Sequence, residues 1–151
     1  MKYWLMKSEP DEFGIEDLER AENQTTVWYG VRNYQVRNFM RDQMAVGDLA
    51  FFYHSSCAVP GIAGLAEITT PAYPDASQFD PESKYYDPQA KAEQPRWLNV
   101  DVKLVKKTRL LSLTELKQYP ELATMPLLAR GNRLSVTPVT TAEWAFINSK
   151  L

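Results

Sequence analysis

The residue types most often used in catalysis come together once in this chain, in the segment His54-Ser55-Ser56-Cys57. A thiol or hydroxyl beside an imidazole can form an activated nucleophile. A small hydrolase or nucleotide-processing enzyme that uses His54 with Cys57 or Ser55 is therefore one hypothesis. A catalytic triad is recognised by geometry and not by adjacency, and the sequence indicates no group that would orient the imidazole. The pattern thus favours an unreactive cysteine near a structural histidine.

Metal and phosphate chemistry have little support in the sequence. With one histidine and one cysteine, the usual zinc ligands cannot be assembled. Asp80, Glu82 and Asp87 are oxygen donors, but their spacing matches no known cation-binding loop. Neither of the glycine-rich phosphate-binding motifs occurs. We therefore expect no metal and no cofactor, and we favour a binding module over an enzyme.

Aromatic and polar side chains follow several predicted strands, and together they indicate a pocket. A flipped or unpaired base is bound by an aromatic face and by fixed hydrogen-bonding groups at its edge. Nearby arginines can hold the flanking phosphates. For single members other roles stay open: Trp28 in the core, Asn33 as a helix cap and Arg32 on a solvated face. A pocket for a small metabolite and a protein-interaction module also stay open. The set comprises Ser8, Trp28, Tyr29, Arg32, Asn33, Tyr34, Tyr53, His54, Ser55 and residues 130–135.

The elements that position these residues follow from hydrophobic periodicity and capping signals. Apolar alternation and short apolar runs predict strands at 2–7, 49–53, 61–69, 97–104 and 133–136. Helices are predicted at 15–21 and from Gly30 to the break at Gly47. Two more follow the capping boxes that begin at Ser112 and Thr140. The pattern predicts one α/β domain of the α+β kind, spanning residues 1–151. Its curved, partly closed, mixed or antiparallel sheet has about five strands, with about four helices packed around it.

The segment 71–95 does not fit a regular element, because it holds five prolines in 25 residues. Loops of this length in compact domains are uncommon and tend to be functional or disordered. Its aromatic residues, Tyr73, Phe79, Tyr85 and Tyr86, argue against simple disorder. A surface loop held by its own aromatics and a lid over a binding site are equally compatible with the sequence.

Composition limits the partners of this 151-residue chain. A net charge of -2 lacks the basic excess that phosphate-driven binding requires, so any nucleic-acid contact needs a local patch or a pocket. Apolar runs are much shorter than the ~20 residues of a membrane span, so we expect no membrane association. One cysteine suits the reducing environment of a cytoplasm or nucleus, and the N-terminus shows no signal peptide, so we predict a cytoplasmic protein.

Several longer segments resemble EVE-domain proteins of the PUA-like superfamily, in particular the bacterial relatives of thymocyte nuclear protein. The similarity covers nearly the whole chain. The matching stretches are 3–10 (YWLMKSEP), 28–35 (WYGVRNYQ), 37–40 (RNFM), 46–55 (VGDLAFFYHS), 60–64 (PGIAG), 85–88 (YYDP), 97–102 (WLNVDV) and 132–136 (NRLSV). The resemblance implies a PUA-like pseudo-barrel that binds a modified nucleobase without catalysis. A modified cytosine such as 5-methylcytosine or 5-hydroxymethylcytosine is the expected base, with DNA favoured over RNA and a monomer favoured.

The resemblance also implies roles for particular residues. The expected lining of the base pocket is Ser8, Trp28, Asn33, Tyr53, His54, Ser55, Leu134 and Ser135. The expected contacts to the nucleic-acid backbone are Lys7, Arg32, Arg130 and Arg133. Tyr29 departs from the smaller or acidic residue of many relatives, and we expect it to narrow the entrance or to change the base preference. The chain begins directly at the domain, without the long basic extension of the animal proteins, so we expect no tight non-specific DNA binding.

Overall fold

The computed structural model describes all 151 residues and is built around a seven-stranded sheet. The strands are β1 (Tyr3–Ser8), β2 (Thr25–Trp28), β3 (Leu49–His54), β4 (Gly61–Ile68), β5 (Tyr73–Pro74), β6 (Leu98–Ser112) and β7 (Val136–Val139). The α-helices are α1 (Pro10–Phe13), α2 (Ile15–Arg20), α3 (Tyr34–Asp42), α4 (Leu113–Leu116) and α5 (Thr141–Asn148). Short 3-10 helices occupy Glu22–Gln24, Ala76–Phe79, Pro120–Leu122 and Pro126–Leu128. None of the helices is long and apolar enough to cross a membrane.

The sheet is mixed, curved and unclosed. Its order is β2-β6-β4-β3-β1-β7, with the short β5 paired to the start of β6. β1 runs parallel to β3, with Ser8 opposite His54, and the remaining pairs are antiparallel. Because β1 and β3 are parallel, their carboxyl ends lie at the same edge of the sheet. Two register shifts between β4 and β6 bend the long strand β6. The predicted α+β class with a curved mixed sheet is confirmed.

Both faces of the central strands are buried. Trp4 and Met6 of β1 face one apolar cluster, which lies under α3, whereas Leu5 between them faces a second cluster covered by α4 and α5. A third, smaller cluster joins Phe52 of β3 to α2. Successive side chains of a strand point to opposite faces, so a strand buried on both sides needs a continuous apolar run. The runs in β1 and β3 meet this requirement.

The local signals for helix ends are confirmed. Thr140 and Glu143 form a reciprocal capping box at the start of α5. The Ser112 hydroxyl accepts the N–H of Glu115 at the start of α4. The carboxylate of Glu115 instead binds Arg109, so only half of the predicted box forms there.

Several predicted element boundaries are wrong. α3 spans Tyr34–Asp42 and not Gly30 to Gly47, because Asn33 caps its start in an extended conformation and the helix ends five residues before Gly47. The last strand is Val136–Val139 and not 133–136; it tolerates Pro138 because β7 is an edge strand. β6 continues to Ser112 instead of ending at residue 104. The sheet exceeds the expected five strands because β2 and β5 are too short to show a period.

The long loop 71–95 is held by a buried polar side chain. The amide nitrogen of Gln78 donates to the carbonyls of Asp75 and Trp97, at 2.7 and 2.8 Å. Its amide oxygen accepts the backbone N–H groups of Arg96 and Trp97, both at 3.0 Å. Gln78 is fully buried, so each of these bonds replaces one that water would otherwise make. The base of the loop is therefore fixed to the start of β6.

Candidate functional site

A cavity of about 280 Å³ opens at the carboxyl end of β1. Its wall is made by the end of β1 with α1, by β2 and the residues after it, by the long loop and by the residue before β7. This volume lies at the lower end of small-molecule pockets, so it suits a single small ring system. The lining residues are Lys7, Ser8, Glu9, Glu12, Phe13, Thr26, Val27, Trp28, Tyr29, Gly30, Val31, Tyr85 and Ser135.

Trp28 ends β2 and contributes an aromatic surface to the cavity. β2 is antiparallel to β6, with Trp28 opposite the buried Val100. The indole meets the ring of Phe52 edge to face, with centroids 5.6 Å apart and an interplanar angle of 87°. The Trp28 side chain is nevertheless only half-buried. One side of the indole is thus anchored on the core, and the remainder borders the cavity.

Tyr85 brings a second aromatic side chain to the cavity from the long loop. Its ring lies against the backbone of Gly30, so closely that a Cβ there would be 2.7 Å from the ring Cζ. Gly30 also has φ +85°, a conformation that residues with a side chain adopt at a cost. Tyr29 meets the Tyr85 ring edge to face, with centroids 5.7 Å apart. Glycine at position 30 therefore permits the ring to occupy this place.

Arg32 fixes the Tyr85 backbone, and its side chain is largely buried, with 22% exposed. Its Nε and Nη2 donate to the Tyr85 carbonyl oxygen at 3.0 and 2.7 Å. Nη1 donates to Asp75 at 3.1 Å and Nη2 to the Ser77 hydroxyl at 3.1 Å. The guanidinium carbon lies 5.4 Å from the Tyr85 ring centroid and 5.5 Å from that of Trp97. Because its N–H groups already donate to other acceptors, the Arg32 guanidinium has no free pair of donors for a phosphate.

Asp75 is the buried anion at the centre of this network, with 1% of its surface exposed. It accepts the backbone N–H of Gly30 and that of Ser77, each at 2.8 Å, besides the Ser77 hydroxyl and Arg32. Burial by itself raises the pKa of Asp75, but the bonds from Ser77, Gly30 and Arg32 outweigh it and hold the pKa below its ordinary value. Asp75 thereby ties the long loop to the segment after β2.

Lys7 and Ser8 supply polar groups from the end of β1. Lys7 is half-buried and forms no salt bridge, and burial lowers the pKa of its ammonium group. The Ser8 hydroxyl donates to the carbonyl of Phe13 at 2.6 Å, so its oxygen is left as an acceptor. Ser135 faces the same space, and its carbonyl accepts the N–H of Lys7 at 2.8 Å. Residue 135 is therefore held beside β1 although β7 starts one residue later.

Two carboxylates also border the cavity. Glu12 binds the ammonium group of Lys84 at 2.6 Å and so links α1 to the long loop. Glu9 precedes α1, is exposed, and has neither a salt bridge nor a side-chain capping bond. The cavity thus holds one carboxylate with a cation partner and one without.

The structure brings together some of the residues predicted for the pocket. Ser8, Trp28 and Ser135 line the cavity, together with Lys7, which was predicted to contact the nucleic-acid backbone. Asn33 and Leu134 do not line it. The Asn33 side chain accepts the N–H of Val36 as the cap of α3. Leu134 packs on the cluster under α3.

The three predicted residues at the end of β3 also lie outside the lining. Tyr53 is 3% exposed within the cluster under α4 and α5, and burial, with a smaller effect of Cys57, raises its pKa to about 12. The Nε2 lone pair of His54 accepts the Ile15 N–H at 3.0 Å, so this nitrogen is not free to act as a base. Ser55 donates its backbone N–H to the Ser8 carbonyl and extends the pairing of β1 with β3.

Arg130 and Arg133 lie in the segment of the chain that leads to Ser135. Both are exposed and neither forms a salt bridge, so their guanidinium groups are available to a polyanion. No group of three or more His, Cys, Asp or Glu side chains is arranged to hold a metal ion.

Sequence reasoning missed eight lining residues, namely Glu9, Glu12, Phe13, Thr26, Val27, Gly30, Val31 and Tyr85. Glu9 lies in the segment 3–10 that carried the family resemblance, and Tyr85 is one of the aromatics noted in the long loop. The sequence therefore contained an indication of both Glu9 and Tyr85. Their convergence on one cavity depends on the Arg32–Asp75 network and on the turn into α1, which no local pattern reveals.

Comparison with known proteins identifies the family. A sequence model described as "EVE domain" matches residues 2–150. The chain belongs to the EVE family. Thymocyte nuclear protein 1 of Danio rerio is 49% identical to it over 97% of this chain and 70% of the relative. The human protein of the same name is 46% identical, over 97% of this chain and 72% of its own length.

Solved structures of EVE-family relatives have the same fold. A Pseudomonas syringae protein superposes with a TM-score of 0.93 and 51% identity, covering 98% of each chain. Human THYN1, crystallised in complex with 5-methylcytosine-containing DNA, superposes with a TM-score of 0.95 and 45% identity. That match covers 99% of this chain and 97% of the human one.

Proposed function

We propose that this EVE-family protein is a non-catalytic reader of a modified nucleobase, with 5-methylcytosine in DNA as the first candidate. The observation that carries the proposal is the human relative solved with 5-methylcytosine-containing DNA, which has the same fold over nearly the whole chain. The cavity at the end of β1 supplies the chemistry, because it combines Trp28 and Tyr85 with free hydrogen-bonding groups.

Each part of the cavity has a distinct role in this proposal. Trp28 and Tyr85 provide aromatic surface for the base, and stacking of this kind contributes about 1–3 kcal/mol per base. Lys7, Ser8 and Ser135 face the hydrogen-bonding edge of the ring. Arg32 acts as a positioning residue for Tyr85, in place of the phosphate contact expected from the sequence.

Phosphate contacts fall to Arg130 and Arg133, which are exposed and precede the lining residue Ser135 in the chain. Two arginines on a protein of net charge -2 give a weak electrostatic contribution. Unmodified duplex should therefore bind with Kd of about 10⁻⁴–10⁻⁶ M at physiological salt. We further propose that the chain acts as one domain in the cytoplasm, a location that cell fractionation would test.

Fluorescence anisotropy with matched oligonucleotides tests the proposal. Two otherwise identical strands carry either one 5-methylcytosine or one cytosine, each in single-stranded and double-stranded form. The wild-type protein should bind the methylated strand more tightly in at least one form. Trp28→Ala should remove this preference, because the base loses a stacking surface.

Two further variants make the result interpretable. Tyr85→Ala removes aromatic surface from the loop side of the cavity and leaves the Trp28–Phe52 contact in place. Trp144→Ala removes a tryptophan that stacks on Tyr3 and Phe51, away from the cavity, and should keep the preference. Unchanged discrimination in folded Trp28→Ala and Tyr85→Ala proteins would contradict the proposed site.

A further inference from the structure

Glu9 carries the one carboxylate of the cavity that has no cation partner. The other, Glu12, is bound to Lys84 at 2.6 Å. Glu9 takes the N-cap position of α1, but its side chain makes no capping hydrogen bond. Its carboxylate therefore has no capping role, and Glu9 is one of the residues that line the cavity.

The neighbouring polar groups differ from Glu9 in what they can offer a ligand. The ammonium group of Lys7 is a donor only. The Ser8 hydroxyl donates its hydrogen bond to the Phe13 carbonyl, so only its neutral oxygen remains, as a weak acceptor. An ionised carboxylate accepts hydrogen bonds and donates none, and bonds to it are about twice as strong as those between neutral groups. Among the lining residues, Glu9 thus offers a carboxylate acceptor that no cation of the protein binds.

A carboxylate acceptor can distinguish 5-methylcytosine from thymine, which stacking on the aromatic residues of the cavity cannot do. 5-Methylcytosine and thymine share the ring and the methyl group, and both stack on Trp28 and Tyr85. They differ at positions 3 and 4 of the pairing edge. At position 4 cytosine carries an amino donor and thymine a carbonyl acceptor, and at position 3 cytosine carries an acceptor and thymine an N–H donor. The carbonyl at position 2 is common to both, so a donor such as Lys7 adds affinity without selecting between them.

We infer that the Glu9 carboxylate accepts a hydrogen bond from the exocyclic amino group of the bound ring, so that the cavity selects 4-amino over 4-oxo pyrimidines. The inference rests on the proposed function and names the residue that sets its base specificity. With thymine in the cavity, the carboxylate and the carbonyl oxygen would face each other as two acceptors. Both would lose hydration without gaining a partner, which penalises the wrong base.

Glu9→Gln tests the inference in the full chain. The carboxamide can donate as well as accept, so it can bind either a carbonyl or an amino group. The probes are three single-stranded oligonucleotides that differ at one central base, namely 5-methylcytosine, thymine or cytosine. Anisotropy titration gives the ratio of the thymine Kd to the 5-methylcytosine Kd. We expect a wild-type ratio of about ten or more, since one good edge contact discriminates by this amount. In Glu9→Gln the ratio should fall to near one.

Glu121→Gln is the matched control, because it makes the same chemical change at an exposed carboxylate that lies outside the cavity lining. It should leave the ratio at the wild-type value. A Glu9→Gln ratio equal to that of the wild type, with both proteins folded by circular dichroism, would overturn the inference. So would a wild-type protein that binds thymine as tightly as 5-methylcytosine. If the wild type prefers 5-methylcytosine to cytosine in these experiments, the proposed function stands even though the role of Glu9 fails. Equal binding of all three oligonucleotides overturns both.

Discussion

Substitution of Gly30 by alanine should weaken base binding in addition to lowering the stability of the fold. Gly30 has φ +85°, and a Cβ added there would lie 2.7 Å from Cζ of Tyr85. Ordinary van der Waals contact begins at 3.4 Å, so the ring must withdraw by about 0.7 Å. The atoms that collide are at the far end of the tyrosine ring, which can move without moving the backbone. The Tyr85 carbonyl stays bound to Arg32.

The two costs can be separated. The left-handed backbone conformation costs a residue with a side chain about 1–2 kcal/mol, which lowers the free energy of unfolding. Displacement of a packed ring by 0.5–1 Å forfeits about a quarter to a half of its dispersion attraction. Applied to about 1–3 kcal/mol of stacking, this gives a loss of binding free energy of about 0.3–1.5 kcal/mol. The Kd for the modified oligonucleotide should therefore rise by up to about tenfold.

Gly47→Ala is the control, since Gly47 has φ +93° and no atom within 4 Å of its added Cβ. Urea titration should show similar losses of stability for the two variants, whereas anisotropy should show weaker binding only for Gly30→Ala. Equal binding by both alanine variants would refute the argument that Gly30 seats Tyr85 in the cavity wall.

Three further predictions concern salt, pH and the buried anion. The double variant Arg130→Gln/Arg133→Gln should weaken binding of modified and unmodified strands equally. It should also reduce the slope of log K against log salt concentration by about one for each phosphate that the protein no longer binds. A change in base preference instead would contradict a phosphate role. Burial lowers the pKa of His54 in the folded state, against a smaller opposing effect of Glu16, so the unfolded chain binds the proton first. The contribution of His54 to the free energy of unfolding should therefore be fully present above pH ~6.5 and should decrease as the pH falls below it. His54→Gln should flatten this dependence in urea titrations, and a dependence that persists would assign it to other groups. Asp75 has a lowered pKa in the folded state, so its stabilisation should be present above pH ~3.9 and lost as the pH falls through the lower folded value. Asp75→Asn should lower the urea midpoint at neutral pH, and an unchanged midpoint would show that the network with Gly30 and Arg32 adds no stability.

The sequence predicts what local chemistry determines. The capping residues Ser112 and Thr140 bond to groups three residues away, so their pattern is readable without the fold. Helical spacing predicts one apolar face with Val36, Phe39, Met40 and Met44. Val36 and Met40 of α3 are buried and Phe39 is partly buried, whereas Met44 is buried beyond the end of the helix. The short strands β2 and β5 escaped prediction because four and two residues show no reliable period.

In the candidate site, too, the residues whose roles depend on local sequence could be predicted, and those whose roles depend on long-range contacts could not. Tyr53 belongs to an apolar run that predicts burial on both faces, and it lies in the core for that reason. Asn33 caps α3, which was the simpler of its two interpretations. Arg32 binds Asp75 and Tyr85, which are 43 and 53 residues away, and this pairing depends on the folded path of the long loop. No spacing rule in the sequence could have revealed it.

A crystal structure of the protein with a short oligonucleotide that carries one 5-methylcytosine would examine the cavity most directly. The modified ring should occupy the space between the end of β1 and Tyr85, in contact with Trp28 and with its amino group facing Glu9. A complex in which that ring stays stacked in the nucleic acid, or binds another surface while the cavity contains only solvent, would contradict the account.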